Sequence, residues 1–224
     1  MVLASGGGYL FSETLIPYAG IIVGILASKM VYNLAQMISK MQFNTYSGLT
    51  SFKQLEWNNR AISTIHAFFI TLWSLYYVFW SDLFVTNDTF TNPVTFRNSP
   101  ESTFGLSVSV GYFLTDLVMI LWFYPSLGGM EYVVHHLLSL AAVTYAVWTG
   151  VGQVYTFMVL ISETTTPSIN LRWYLDVAGL KKSTIYLING FIMILAWLVA
   201  RIVLFIYVFY HIYLHFDEVR KLVL

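Results

Sequence analysis

Residues Glu131–Thr149 read EYVVHHLLSLAAVTYAVWT, a segment of membrane-spanning length that is apolar except near its start. Two adjacent histidines, His135 and His136, lie in that first part of the segment. A charged side chain at the centre of a bilayer costs at least about 2.5 kcal/mol, and a neutral imidazole still needs partners for its nitrogens. The pair therefore indicates a polar interior inside a membrane-embedded bundle.

The composition of the 224-residue chain indicates an integral membrane protein. Hydrophobic residues make up 58% and charged residues 10%, with a mean hydropathy of +0.69, whereas soluble domains carry about 25% charged residues. The net charge of zero removes the case for nucleic-acid binding. The chain contains no cysteine, which excludes disulfides, a thiolate nucleophile and a Cys-type metal site.

Six stretches reach the length of about 20 apolar residues that a spanning helix needs. We predict an all-α integral membrane protein, a single bundle of about six transmembrane helices enclosing a polar-lined cavity. An N-terminal lead-in (1–14) precedes the bundle (15–216), and a C-terminal tail (217–224) follows it. The N-terminus lacks the basic region of a signal peptide, so we expect the first helix to be retained. The predicted helices are Leu15–Ser39, Ala61–Phe84, Phe104–Tyr124, Met130–Thr149, Val151–Asp176 and Thr184–Leu214.

The loops predict an orientation in the membrane. We name the face bearing the Lys40–Arg60 loop side A and the opposite face side B. Side A carries five basic residues (Lys40, Lys53, Arg60, Lys181 and Lys182), and side B carries three (Arg97, Arg220 and Lys221). The positive-inside rule then makes side A cytosolic. A candidate glycosylation sequon, Asn87–Thr89, agrees with a lumenal side B.

Four other predicted helices each contribute one further ionisable residue: His66, Asp116, Glu163 and Arg201. At a rise of about 1.5 Å per residue, His66, Asp116 and His135 all fall in the half of the membrane nearer side A. The polar groups are therefore expected to form a funnel that opens on side A.

The third and fourth predicted helices supply the candidate catalytic residues. Glu131 and His135 are four residues apart and share one helical face, so Glu131 is expected to orient the His135 ring. His136 points about 100° away from that face. The short Pro125–Gly129 turn allows Asp116 to approach His135, and an Asp–His pair suits general-base or nucleophilic chemistry. The catalytic candidates are His135, His136 and Asp116.

Candidate substrate contacts lie on the same helices and the next two. Pro167 removes a backbone donor and frees the carbonyl of Glu163, and a broken membrane helix beside a carboxylate often lines a binding cavity. Arg201 needs a counter-ion, for which Glu163 is the first choice. The substrate-binding candidates are His66, Tyr112, Glu131, Glu163, Asn170 and Arg201.

Two other interpretations of these residues stay open. Buried polar side chains in membrane bundles also join helices without binding a ligand, which is the preferred reading for His66 and for the Glu163–Arg201 pair. A metal site is not expected, because adjacent histidines do not share one helical face. His211 and His215 have the i, i+4 spacing of metal ligands but lie at the interfacial end of the last helix.

Five sequence motifs also resemble a known family, the TLC (TRAM–Lag–CLN) domain. The resemblance spans about Ala61–Arg201, and the order and spacing of the motifs are specific. The motifs are AISTIHA (Ala61–Ala67), GYFLTDL (Gly111–Leu117), VVHHLLS (Val133–Ser139), ETTTPSINLRW (Glu163–Trp173) and INGFIM (Ile188–Met193), followed by Arg201.

The resemblance implies a lipid-handling bundle in the endoplasmic reticulum or a related membrane. Ceramide synthases are the enzymes of the family, and His135 and His136 match their catalytic pair, with Asp116 matching the acidic residue on the preceding helix. The chain departs from these enzymes in their second motif, where it offers Glu163 and no histidine. This departure argues against ceramide synthesis in its usual form.

Two functions follow as expectations. In the first, the protein binds a membrane lipid or fatty acyl chain in the cavity and acts in lipid homeostasis. In the second, it is an acyl-CoA-dependent acyltransferase that uses His135 and His136. No cofactor is expected, and acyl-CoA enters only as the substrate of the second function. A homodimer is left open, and a cargo receptor or translocon accessory has family precedent without a residue signature.

Overall fold

The chain forms long helices joined by short turns in a computed structural model that describes residues 6–85 and 92–220. Within these ranges there is no strand, so the all-α prediction is confirmed. The first half contains α1 (Gly6–Gln42), α2 (Asn44–Ser47), α3 (Ser51–Leu75, continued by a π turn at Tyr76–Trp80), two 3₁₀ turns (Asp82–Phe84 and Val94–Phe96) and α4 (Pro100–Trp122). The second half contains α5 (Met130–Thr149), α6 (Gln153–Leu160), a 3₁₀ turn (Ile161–Thr165), α7 (Thr166–Val177), α8 (Thr184–Leu198), a π turn (Val199–Val203), α9 (Leu204–Leu214) and α10 (Phe216–Arg220).

Four helical segments of the described residues are long and apolar enough to cross a membrane: Thr14–Gln42, Ser51–Trp80, Pro100–Trp122 and Thr184–Leu214. Several spans of this kind define a multi-pass membrane protein. Spanning by α5 and by the consecutive α6 and α7, which would bring the count to six, stays a prediction.

The helix bounds agree closely with the sequence in the second half of the chain and differ in the first. α5 and the continuous α8–α9 segment have the predicted limits, whereas α3 begins at Ser51, before the predicted Ala61. The Thr50 hydroxyl caps α3 by accepting from the Lys53 amide at 3.3 Å, which satisfies a backbone donor of the first turn. α1 likewise begins at Gly6, before the predicted Leu15. The sequon Asn87–Thr89 and Lys221 lie outside the described residues.

α1 packs closely against α4 through small residues. Gly20 and Gly24 are spaced as in the Gly-x-x-x-Gly motif that lets two membrane helices approach each other. A side chain added at Gly24 would collide with the Val108 carbonyl oxygen and the Gly111 backbone. α1 is therefore held at backbone distance from α4.

The interruption between α6 and α7 follows from Pro167, as the sequence predicts. Pro167 occupies the first turn of α7, where its missing N–H is tolerated. The freed carbonyl of Glu163 accepts from the Thr166 amide in the tighter 3₁₀ geometry. Two hydroxyls also bond to this segment, Thr165 Oγ1 to the Ser162 carbonyl at 3.1 Å and Ser168 Oγ to the Thr165 carbonyl at 2.8 Å. Hydrogen bonds thus satisfy the polar backbone groups at the break between α6 and α7, and Glu163 lies toward the bundle interior.

Candidate functional site

A cavity of about 390 Å³ lies where α3, α4, α5, the α6–α7 break and the π turn after α8 meet. Its walls contain eight of the nine predicted site residues: Tyr112, Asp116, Glu131, His135, His136, Glu163, Asn170 and Arg201. His66 is the ninth and does not line the cavity. The fold therefore brings together predicted site residues that are up to 89 positions apart in the sequence (112 to 201).

Asp116 and His136 form the buried centre of the cavity wall. The two residues are 5% and 8% exposed, and His136 Nδ1 lies 3.3 Å from Asp116 Oδ2. The second carboxylate oxygen accepts a hydrogen bond from Asn59 Nδ2 at 2.9 Å. The Nδ1 and Oδ2 atoms do not meet hydrogen-bond geometry in this structure, and His136 Nδ1 has no other hydrogen-bond partner among the described residues. A carboxylate facing Nδ1 at this distance favours the Nδ1–H tautomer, in which the Nε2 lone pair is free.

The predicted pairing of Asp116 with His135 is wrong, because the partner is His136. α5 turns its His136 side inward, so His135 lies on an exposed face at the edge of the cavity. The two imidazole rings are 5.5 Å apart in an edge-to-face arrangement. The histidines therefore have different environments, one buried against a carboxylate and one accessible.

Glu131 does not hold the His135 ring as predicted. No hydrogen bond joins the two side chains in the described part of the chain, and the Glu131 carboxylate instead folds back over Gly129. A Cβ at Gly129 would lie 2.5 Å from Glu131 Oε2. A glutamate in the first turn of a helix is favoured near the backbone N–H groups of that end, which accounts for the side chain turning away from His135.

His66 lies behind the cavity wall and supports it. Its ring stacks on Tyr112 with the centroids 3.7 Å apart and the planes 14° from parallel. Phe113 packs against the same imidazole at 5.4 Å. His66 therefore packs against the Tyr112 ring instead of lining the cavity, and its role as a substrate contact stays a prediction.

Asn170 joins α7 to α3 in the wall of the cavity. Its amide nitrogen lies within hydrogen-bond distance of the Arg60 carbonyl (3.0 Å), Ser63 Oγ (2.7 Å) and Thr64 Oγ1 (2.9 Å). Its amide oxygen accepts from Arg60 Nη1 at 3.1 Å. Because the whole amide group is engaged within the protein, the structure gives Asn170 a helix-joining role in the wall.

A row of charged residues on α3 borders the end of the cavity that Glu56 and Arg60 line, which we name its mouth. The sequence analysis missed this row. Glu56 pairs with Lys53 at 2.9 Å and with Arg60 at 3.0 Å, and the Arg60 guanidinium lies 4.7 Å from the Trp173 ring. The i, i+3 and i, i+4 spacing of these charges was a usable signal. It was overlooked because the helix was predicted to begin at Ala61, beyond all three residues.

The predicted Glu163–Arg201 ion pair does not form. Both residues line the cavity, but Glu163 Oε2 accepts from the Thr166 hydroxyl at 3.0 Å. That hydroxyl is already in place three residues along the same turn, so the bond requires little ordering of side chains. In the described part of the chain no carboxylate lies within ion-pair distance of Arg201.

The described cavity residues carry more acid than base. Four carboxylates (Glu56, Asp116, Glu131 and Glu163) face two guanidinium groups (Arg60 and Arg201), together with the two imidazoles. Among the same residues, no three His, Asp or Glu side chains are arranged to hold a metal ion. Carboxylates and imidazoles of this kind can form hydrogen bonds and transfer protons.

Fold and cavity together define a multi-pass helical membrane protein with a polar chamber between its helices. The TLC domain family matches residues 56–222, about three quarters of the chain, and the protein belongs to that family. The match begins within α3 at residue 56 and continues through α10, so it contains every residue that lines the cavity, and it excludes α1.

The curated relatives agree with this assignment. The chain is 28% identical over 155 residues to TLC domain-containing protein 4-B of Xenopus laevis, covering 69% of this chain and 57% of that protein. It is 27% identical over 192 residues to protein 4-A of the same species (85% and 72%) and 25% identical over 158 residues to the Homo sapiens protein 4 (70% and 58%). The aligned region thus spans less than two thirds of two of these relatives. No solved structure gives a significant match.

Proposed function

We propose that the protein binds a membrane lipid through its polar end in the cavity and acts in lipid homeostasis, in the endoplasmic reticulum. The observation that carries the proposal is the buried Asp116–His136 pair facing a 390 Å³ space inside a membrane bundle. Polar and ionisable groups at such depth are costly and commonly mark a functional site. A ligand that hydrogen-bonds to them offsets this cost.

The charges of the cavity favour one class of polar end. Since carboxylates outnumber guanidinium groups, an anionic phosphate would meet net repulsion. A hydroxyl, amide or amine donates hydrogen bonds to carboxylates and to His136 Nε2. The preferred ligand is therefore an aliphatic lipid whose polar end is a hydrogen-bond donor.

Lipid that co-purifies with the protein tests the proposal. Protein purified in mild detergent is extracted, and lipids are quantified by mass spectrometry for wild type, Asp116→Asn and His136→Gln. We expect a specific lipid in the wild type and its loss in both variants. The matched controls are Asp176→Asn and His211→Gln, which both lie outside the cavity. The Asp176 carboxylate pairs with Lys181 at 2.9 Å, and His211 lies on α9. Equal lipid retention by cavity variants and controls would contradict the proposal.

A second candidate function, acyl transfer from acyl-CoA, is favoured by the accessible His135 beside the carboxylate-oriented His136. In this reaction His136 Nε2 accepts the proton of an amine or hydroxyl acceptor as that acceptor attacks the thioester carbonyl. The C–S bond breaks, the coenzyme A sulfur takes up the proton, and an amide or ester is formed. Asp116 holds the imidazole and stabilises its protonated form.

Labelled long-chain acyl-CoA distinguishes binding from catalysis. Protein in lipid receives the thioester with a mixture of amine and hydroxyl acceptor lipids, and products are identified by mass spectrometry. An acylated product that is absent in His135→Ala/His136→Ala establishes acyl transfer and identifies the acceptor. Co-purified lipid without turnover establishes binding alone.

A further inference from the structure

A second cavity shares a wall with the first. It is a groove of about 260 Å³ between α7 and α8, lined by Thr165, Ile169, Met193, Ile194 and Trp197. Thr165 and Ile169 also line the polar cavity. One turn of chain therefore separates a polar space inside the bundle from a groove on its outside.

The groove is apolar and faces the bilayer. Its accessible lining contains no polar atoms, and Ile194 and Trp197 are 64% and 53% exposed. Exposed apolar side chains on a membrane-spanning helix contact lipid chains. The groove is thus an indentation in the lipid-facing surface, continuous with the hydrocarbon of the membrane.

One helical stripe connects the two spaces. Met193, Trp197 and Arg201 follow each other at four-residue intervals, so they lie on one side of the α8–π-turn segment. Met193 and Trp197 line the groove, and Arg201 lines the polar cavity. Polarity therefore changes along a single face, from apolar in the groove to charged in the cavity.

We propose that the α7–α8 groove holds the hydrocarbon chain of the lipid whose polar end occupies the cavity. The lipid then enters sideways from the bilayer between α7 and α8, with its chain remaining in an apolar environment throughout. A single groove of this size fits one aliphatic chain, so the ligand is a lipid bound by one chain. This inference rests on the proposed function and adds the position of the chain and the route of entry.

Photo-crosslinking with two probes tests the position of the chain. Both probes are monoacylglycerols, one with a diazirine near the end of the chain and one with a diazirine on the glycerol. Peptide mapping is expected to locate the chain probe on α7 and α8 beside the groove and the glycerol probe on residues of the polar cavity.

A matched pair of variants controls for general effects on α8. Ile194→Trp fills the groove, whereas Leu195→Trp adds the same ring at a neighbouring exposed position that does not line it. Chain-probe labelling of α8 beside the groove should be lost in Ile194→Trp, because the added ring occupies the space that the chain would fill. Labelling should be unchanged in Leu195→Trp.

The two proposals fail in different ways. Glycerol-probe labelling of the cavity, combined with chain-probe labelling elsewhere or equal in the two tryptophan variants, overturns the groove and leaves lipid binding in place. Absence of specific labelling by both probes, together with absence of co-purified lipid in the wild type, overturns lipid binding itself.

Discussion

At the scale of residues, the sequence predicted which side chains line one cavity but not which of them pair, nor which histidine turns inward. α5 is apolar on nearly all sides, so its hydrophobic pattern does not fix its rotation about the helix axis. A rotation of about 100° exchanges His135 for His136 opposite Asp116. The hydrogen bond from Asn59 to Asp116 joins α3 to α4 and was missed because α3 was predicted to begin at Ala61, after Asn59.

Asn170 offers a test of a single side chain. Replacing it with Ala removes the amide that joins α7 to Arg60, Ser63 and Thr64. We expect Asn170→Ala to lower the free energy of unfolding by about 1–3 kcal/mol, since the partly buried partners lose their hydrogen bonds. Titration with denaturing detergent measures the change. Asn33→Ala, on an exposed face of α1, is the control and should shift stability by less than about 0.5 kcal/mol. Equal stability of the two variants would show that Asn170 does not join the helices.

At the scale of elements, the sequence predicted helices best where apolar length alone defines them. α5 and α8–α9 have their predicted limits for this reason. The start of α3 was missed because polar residues on Ser51–Arg60 resemble a loop, although their charges pair at helical spacing. The α6–α7 break was predictable, since Pro167 dictates where the regular hydrogen bonds stop.

The packing of α1 on α4 gives a prediction at this scale. A leucine at Gly24 would overlap the Val108 carbonyl and the Gly111 backbone, and neither backbone segment has room to yield. We expect Gly24→Leu to destabilise the protein by at least about 1–3 kcal/mol, as overpacking does in other cores. Thermal unfolding in detergent provides the measurement. Ala19→Leu places the same side chain on an exposed face of α1 and should leave the midpoint unchanged, whereas similar losses in both variants would argue against close α1–α4 packing.

At the scale of the whole molecule, the position of the cavity mouth and the charges of the loops both indicate which face of the membrane is cytosolic. Lys53, Glu56 and Arg60 border the mouth on side A, and the Lys181–Asp176 pair lies on the same predicted face. Hydrogen bonding to Asp176 raises the pKa of Lys181, and a lysine is positively charged at neutral pH even without that shift. Its charge therefore counts fully toward a cytosolic side A.

Single cysteines test this orientation cleanly, because the chain contains no cysteine of its own. Lys182→Cys places an exposed thiol on side A, and Glu101→Cys places one at the start of α4 on side B. We expect a membrane-impermeant maleimide applied to the cytosolic face of sealed microsomes to label Lys182→Cys and to reach Glu101→Cys only after the membrane is permeabilised. The reverse pattern would place the cavity mouth in the lumen. Acyl-CoA supplied from the cytosol would then have no direct path to His135, a result that would favour lateral entry of a membrane lipid between α7 and α8.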